Sequence, residues 1–251
     1  LTGYIGGTPT WTAGVNYPDQ NASIFAVGLI LAALRHRNQT GQGGYIDLSQ
    51  REFTTNMVGE AVLDYGLNGR VGKPMGNRDL FTAPHGCYPC KGGDMWVTIA
   101  VTSDEEWKSL CQAMGRSELA QESIFTTGEG RLKNQDELDG IISRWTSARD
   151  KEEVAALLQS HGVAAGPVYS GKELLANPHL KAREFVKYVD VPDMGPFPHK
   201  AFVPKMSRAK ASIRRYAPDM GEHNEYVYGE LLGLSQKEVE ELKRDHVIDN
   251  V

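Results

Sequence analysis

Cysteine is scarce in this 251-residue chain, with Cys87, Cys90 and Cys111 its only three. Three thiols build no disulfide framework, and no secretory signal opens the sequence, so the pattern fits a reducing cytoplasm. The seven histidines are dispersed, and none forms an HxxxH or HExxH pair, which excludes the common helical zinc site. Cys87-Tyr-Pro-Cys90 has the CxxC spacing of redox pairs and zinc half-sites. No second spaced pair accompanies it, and residues three apart on a strand face opposite sides, so no metal is expected. There is no GxSxG elbow, and "GQGGY" at Gly41 lacks the Lys-Ser/Thr of a phosphate loop. Long apolar runs are also missing: Ile24 to Leu34 is too short to span a bilayer and ends in Arg-His-Arg, so it reads as a buried helix. A basic excess is absent too. With a net charge of -5 and a pI near 5.8, general nucleic-acid binding is not expected. His199 to Arg215 holds six Lys or Arg and no acid, but without interleaved aromatics it reads as a solvated basic edge.

What is present is the composition of a globular protein, 40% hydrophobic and 24% charged, enough for one large domain or two unequal ones. Residues 1 to 18 are rich in Gly, Pro and Thr and read as an irregular loop. Ile24 to Arg37 is apolar on nearly every face, a helix sandwiched between layers. "TGQGG" stops it and turns into "YIDLS" (Tyr45 to Ser49), a short strand, and a second helix follows from Gln50 to Leu67. Helix, strand and helix joined by tight Gly turns are the grammar of an α/β layer. After an aperiodic stretch from Asn68 to Gly86, "GCYPC" and "MWVTIAV" flank "KGGD" as a hairpin. Ser103 with Glu106 forms a capping box on the next helix, which Gly115 ends. Two further amphipathic helices lie between Arg131 and His161. "VKYVDVP" and "KAFVP" read as strands, and two helices close the chain, the last capped by Ser235 with Glu238. The division is 1–70 as part of a large α/β domain, 71–150 as a small α+β domain, and 151–251 as a return to the large one.

Two stretches carry candidate chemistry. In "NYPDQNASIF", Asp19 stands before an apolar helix. It is either a cap, since Asp, Asn and Ser are the usual types there, or a nucleophile, an anionic carboxylate in the positive field of a helix N-terminus. In "GNRDLFTAPHG", Gly flexibility is combined with Asn77, Arg78, Asp79 and His85, which suits a structural loop or a lid over a ligand equally.

Taken together and in order, "YPDQNASIFAVGLILAALRHRNQTGQGGYIDLSQREF", "GNRDLFTAPHGCYPCKGGDMWVTIAV", "HGVAAGPVYSGKELLANPHLKAREF" and "APDMGEHNEYVYGELLGLS" resemble the family III coenzyme A transferases, which include formyl-CoA and carnitine CoA transferases. The resemblance implies an α/β fold with a Rossmann-like large domain, an inserted small α+β domain and two interlocked ring-like subunits. It implies that coenzyme A moves between an acyl-CoA thioester and a carboxylic acid. Asp19 matches the family's nucleophilic aspartate, and the Gly-rich lid corresponds to "GNRDLFTAPHG", which has fewer consecutive glycines than the formyl-CoA type. Tyr17, Asn77, Arg78, His85 and Gly86 are the residues expected to contact coenzyme A.

One departure accompanies the match. Family members carry a substantial stretch ahead of the aspartate segment, with much of the coenzyme A pocket, whereas eighteen residues precede Asp19 here. Leu1 is not an initiator Met. The expectation is that an upstream segment, or a partner chain in a homodimer or hetero-oligomer, completes the site. Two rival readings stand beside transfer. One is an α-methylacyl-CoA racemase of the same fold, whose His would fall upstream of Leu1; the other is a non-catalytic subunit that keeps the fold for assembly.

Overall fold

The computed structural model describes residues 17–209 and 211–248. The chain divides into two compact units, one ending at Val168 and the other beginning at Tyr169.

The first unit opens with three helices, α1 (Tyr17–Thr40), α2 (Gln50–Asn56) and α3 (Gly59–Asn68). α1 starts at Tyr17 rather than at Ile24. Pro18 tolerates a first helical turn because its missing N–H would have had no partner there, and Asp19 favours the positive end of the helix. Asp19 therefore lies inside the first turn and is not the cap. Residues 1–16, read as an irregular loop, lie outside the described residues. The helix ends as expected, with Gly41 at φ +76° donating its N–H to the Arg37 carbonyl at 2.8 Å.

α1 is not sandwiched among the described residues. Ile24 is 74% and Leu31 61% exposed, and Ala22 is its one buried residue. Its principal neighbour is α2, through Phe25 stacked on Phe53 at 4.6 Å. Tyr45 to Ser49 is irregular instead of a strand. A ladder needs a neighbour, and no strand among the described residues pairs with it. The helix expected over Gln50 to Leu67 breaks between α2 and α3. Thr54 and Thr55 turn their hydroxyls back onto the Gln50 and Arg51 carbonyls, each at 2.8 Å, a bond that bends helices, and Gly59 follows.

The rest of this unit is a three-stranded antiparallel sheet, β1 (His85–Pro89), β2 (Trp96–Ala100) and β3 (Ala164–Pro167), in the order β1-β2-β3. The hairpin falls where the apolar stretches around "KGGD" place it. β3 pairs with β2, Ile99 opposite Ala165, so residues 164–167 belong to this sheet. One face of the sheet packs on α4 (Asp104–Ala113), α6 (Gln135–Thr146) and α7 (Lys151–Ser160), with the short α5 (Gly128–Lys133) alongside. Tyr88, Val97 and Ile99 enter a core with Trp107, Leu138 and Leu158. Trp107 meets Phe125 edge-on at 6.0 Å. Ser103 caps α4 by accepting the Glu106 N–H at 3.1 Å, but the Glu106 carboxylate reaches one residue further back, to the Thr102 N–H at 2.6 Å.

The second unit contains α8 (Gly171–Ala176), α9 (Pro178–Ala182), a hairpin of β4 (Val186–Val191) and β5 (Gly195–Lys200), a π-helical turn over Glu225–Leu231, and α10 (Gln236–Arg244). β4 coincides with "VKYVDVP". Its partner lies just ahead of the expected "KAFVP", because the turn at Asp193 (φ +60°) and Gly195 (φ +69°) sets the register that pairs Val186 with Lys200. Pro196 and Pro198 disguise β5 in the sequence, yet a two-stranded sheet has only edges, where proline is tolerated. Gly233 at φ +71° ends the π-helical turn region, and Ser235 and Glu238 form the expected reciprocal capping box on α10. No helix among the described residues is long and apolar enough to cross a membrane.

Candidate active site

The loop Gly76–Gly86 is held in shape by its own polar groups. Asp79 Oδ1 accepts the Phe81 N–H at 2.8 Å and the Thr82 N–H at 3.0 Å, an Asx turn. The Phe81 N–H is the main reason that the Asp79 carboxyl lies below its usual pKa. His85 Nδ1 lies 2.7 Å from the Asn77 carbonyl. A carbonyl only accepts, so Nδ1 carries the proton and, in the neutral ring, Nε2 is left as an acceptor. The loop's far end is pinned from α5: Arg131, 2% exposed, donates to the Ala83 carbonyl at 2.9 Å and the Phe125 carbonyl at 3.0 Å, pairs with Asp104 at 2.8 Å, and lies 5.6 Å over the Trp107 ring.

Arg78 is tied to α6 through two of its three guanidinium nitrogens. Its Nη2 donates to Asp136 Oδ1 at 2.5 Å and Asp139 Oδ2 at 2.7 Å, and its Nε to Asp139 Oδ2 at 3.2 Å. Partial desolvation works against the guanidinium charge, but the hydrogen bonds to Asp136 and Asp139 outweigh it, and the pKa of Arg78 rises. The other Asp139 oxygen accepts the Tyr88 hydroxyl at 2.8 Å. Tyr88 is buried, and desolvation together with the Asp139 charge drives its phenol well above the usual range. Asp139 on α6 is thus a hub that ties the loop to the sheet. Gly86 belongs to the same arrangement, because a Cβ there would stand 2.9 Å from the Tyr88 hydroxyl oxygen.

Two adjoining cavities, of about 310 and 620 Å³, lie against the loop, within the size range of small-ligand sites. Asn77, Arg78, His85 and Gly86 line both, so four of the expected contact residues come together. Cys87 joins them. Tyr17 and Asp19 line neither cavity; both are exposed in the first turn of α1, where the Ser23 hydroxyl donates to the Asp19 carbonyl at 2.6 Å. Sequence reasoning missed Asp136, Asp139, Tyr88 and Arg131. The spacing of Asp136 and Asp139 puts both acids on one helix face, a signal too common among 32 acidic residues to single them out.

Cys87, Cys90 and Cys111 are free thiols. Burial raises the pKa of each and pushes Cys111 up to about 12, which keeps them protonated and poorly nucleophilic. Among the described residues no cluster of His, Cys, Asp and Glu could hold a metal ion.

Residues 1–224 match the sequence profile of CoA-transferase family III. The chain is 32% identical over 248 residues to a succinyl-CoA–D-citramalate CoA-transferase of Chloroflexus aurantiacus, covering 99% of this chain and 61% of that protein. It is 32% identical over 252 residues to the beta subunit of a succinyl-CoA–L-malate CoA-transferase of the same organism, covering 99% and 62%. Among solved structures, a CAIB/BAIF family protein from Brucella suis superposes with a TM-score of 0.80 at 26% identity, over 92% of this chain and 59% of that one. The chain thus spans about three fifths of the length of these relatives. Its mixed helix-and-sheet fold agrees with theirs, and the chain belongs to CoA-transferase family III.

Proposed function

We propose that this chain carries the nucleophile and the covering loop of an enzyme that transfers coenzyme A between an acyl-CoA thioester and a carboxylic acid, with Asp19 as the nucleophile. The observation that carries the reading is an exposed carboxylate in the first helical turn of a family III chain. Amides without an intrahelical acceptor and the positive end of the dipole lie beside that turn, ready to meet developing negative charge.

The chemistry balances without a general base. An Asp19 oxygen attacks the donor thioester carbonyl, the C–S bond breaks, and a mixed anhydride and CoA thiolate result. The thiolate attacks the aspartyl carbonyl of the anhydride, releasing the donor acid and leaving an aspartyl-CoA thioester. The acceptor carboxylate attacks that thioester, giving a second anhydride and free thiolate. The thiolate then takes the acceptor acyl group and restores Asp19. Each step passes through an oxyanion that wants N–H donors, and the Gly-rich loop is the candidate source. In the reaction Asn77, His85 and Gly86 would border the bound thioester, while Arg78 shapes the loop through its carboxylate partners.

The apolar surface of α1 indicates how the site is completed. Side chains such as Ile24 and Leu31 are open to water, and apolar area of that extent on a helix is ordinarily covered by polypeptide. We infer that a further segment or a partner chain covers it, in a homodimer or, as the relative named as a beta subunit suggests, a hetero-oligomer. Residues 1–251 alone are then expected to exchange coenzyme A poorly.

The test is exchange between two acids by the completed protein. Asp19→Asn is expected to abolish transfer while the circular dichroism spectrum and melting temperature hold. Unchanged exchange by this variant would overturn the reading and favour a scaffold role.

A further inference from the structure

The larger cavity has a floor of mostly small side chains, on the sheet face opposite the core. The register lines up His85, Ala100 and Ala164 in one cross-strand row and Cys87, Thr98 and Gly166 in the next. Successive residues alternate faces, so these six share the side that Val97 and Ile99 do not. Such a floor leaves room for an acyl chain.

Among the described residues, Arg78 is the one permanently charged side chain that lines this space. Asp139 borders only the smaller cavity, and Asp136 borders neither. Asp136 and Asp139 hold the Nε and Nη2 atoms of Arg78, while Nη1 has no hydrogen-bond partner among the described residues. Asn77 lines the same space. Its backbone carbonyl accepts from His85 Nδ1, and its side-chain amide has no partner among the described residues. The Thr98 hydroxyl is committed to the Gly166 carbonyl at 3.0 Å. The side-chain N–H donors left for a guest are therefore those of Arg78 and Asn77.

A guanidinium fixed along one edge loses little freedom when its remaining nitrogen takes a ligand. The Arg78 side chain is 30% exposed, and a charge partly withdrawn from water attracts an anion more strongly than a fully solvated one. Its two acidic partners offset part of that attraction. A guanidinium shared in this way suits a planar, singly charged carboxylate better than a phosphate, which brings more charge than it can answer.

We infer that the larger cavity receives the acyl group and that Arg78 Nη1, with the Asn77 amide, holds a second carboxylate at its far end, so that the acids exchanged are dicarboxylic. This rests on the coenzyme A transfer reading, which places an acyl group beside the loop.

The test uses the completed protein and two thioesters of one shape, succinyl-CoA and its terminal amide, succinamoyl-CoA, which differ in a carboxylate against a carboxamide. Each is exchanged with its own isotopically labelled acid, so no second acid is needed. The kcat/KM for succinyl-CoA should be roughly tenfold higher or more. Asn77→Leu keeps the backbone carbonyl that His85 uses, so the loop retains its own bonds, and it should shrink that preference several-fold. Arg78→Met should bring the preference close to one, whatever slowing both thioesters share from the lost tie to α6. The same two acyl groups on pantetheine, which lacks the phosphates of coenzyme A, should show the same preference.

Equal or faster exchange of succinamoyl-CoA by the unaltered protein would overturn the inference and leave transfer standing. An equal loss for both thioesters in both variants would overturn it too, and if that loss vanished with the pantetheine thioesters, Arg78 and Asn77 would be assigned to a phosphate of coenzyme A. Exchange of neither thioester would also overturn it. The transfer reading is then judged apart, on exchange of monocarboxylic acyl-CoA thioesters that Asp19→Asn should abolish.

Discussion

Replacing Arg131 by Met should weaken the first unit substantially, because Met refills the stem of the side chain and donates nothing. The change orphans the Ala83 and Phe125 carbonyls, both on residues at most 1% exposed. An unsatisfied buried acceptor costs about 1–3 kcal/mol. The contact with the Trp107 ring at 5.6 Å contributes about 0.5–2 kcal/mol. The pair with Asp104, whose side chain is 49% exposed, adds little. Against these losses stands the desolvation that a buried guanidinium no longer incurs. The balance is a loss of about 2–4 kcal/mol, with Arg131→Lys intermediate, since an ammonium cannot reach three diverging acceptors. Urea unfolding of the chain, followed by tryptophan fluorescence, reads this directly because Trp107 is in the affected core. Amides around Ala83 should also exchange faster with deuterium. A loss below about 1 kcal/mol for Arg131→Met would refute the view that Arg131 fastens the end of the loop to the core.

Gly86→Ala places a methyl 2.9 Å from the Tyr88 hydroxyl oxygen and should cost about 1–3 kcal/mol, while the loosened Tyr88–Asp139 bond speeds exchange across the loop; an unchanged melting temperature would count against the hub. The Asp79 carboxyl is depressed by the Phe81 N–H, so its contribution to the loop is complete above the ordinary aspartate pKa and is lost only as pH falls through the lower folded value. The Phe81 and Thr82 amide shifts should therefore hold until below the usual aspartate range, and a midpoint at or above it would contradict the Asx turn. With the Cys111 thiol pushed up to about 12 by burial, iodoacetamide near neutral pH should leave Cys111 unmodified in the native chain and modify it in urea. Rapid native alkylation, read by peptide mass spectrometry, would show that the core around α4 opens readily.

Much of the fold can be read from the sequence where the signal is local. Ser103 and Ser235 announce their helices within three residues, and the strands flanking "KGGD" are set by their turn. The loop Gly76–Gly86 is visible as a break in periodicity, and its Asn77, Arg78 and His85 line a shared space while Asp79 folds back onto the loop backbone. What stays hidden depends on distant partners. Arg78 finds Asp139 61 positions away, Tyr88 finds the same carboxylate 51 away, and Arg131 reaches Ala83 across 48. No spacing rule links such residues, and so Arg78 is visible in the sequence as a loop cation while the carboxylates that hold two of its nitrogens are not. The segment Tyr45–Ser49 has strand composition without a partner to pair with, and β5 is masked by its prolines. α1 illustrates the reverse case: its apolar faces are plain in the sequence, yet most of them stay exposed among the described residues.

In the proposed reaction Asp19 forms a covalent thioester with coenzyme A during turnover. Incubating the completed protein with a panel of acyl-CoA thioesters, followed by peptide mass spectrometry, should find coenzyme A attached to the peptide containing Asp19, removable by hydroxylamine and absent from Asp19→Asn. Active protein whose Asp19 peptide never gains that mass, or an adduct that persists in the Asn variant, would contradict it.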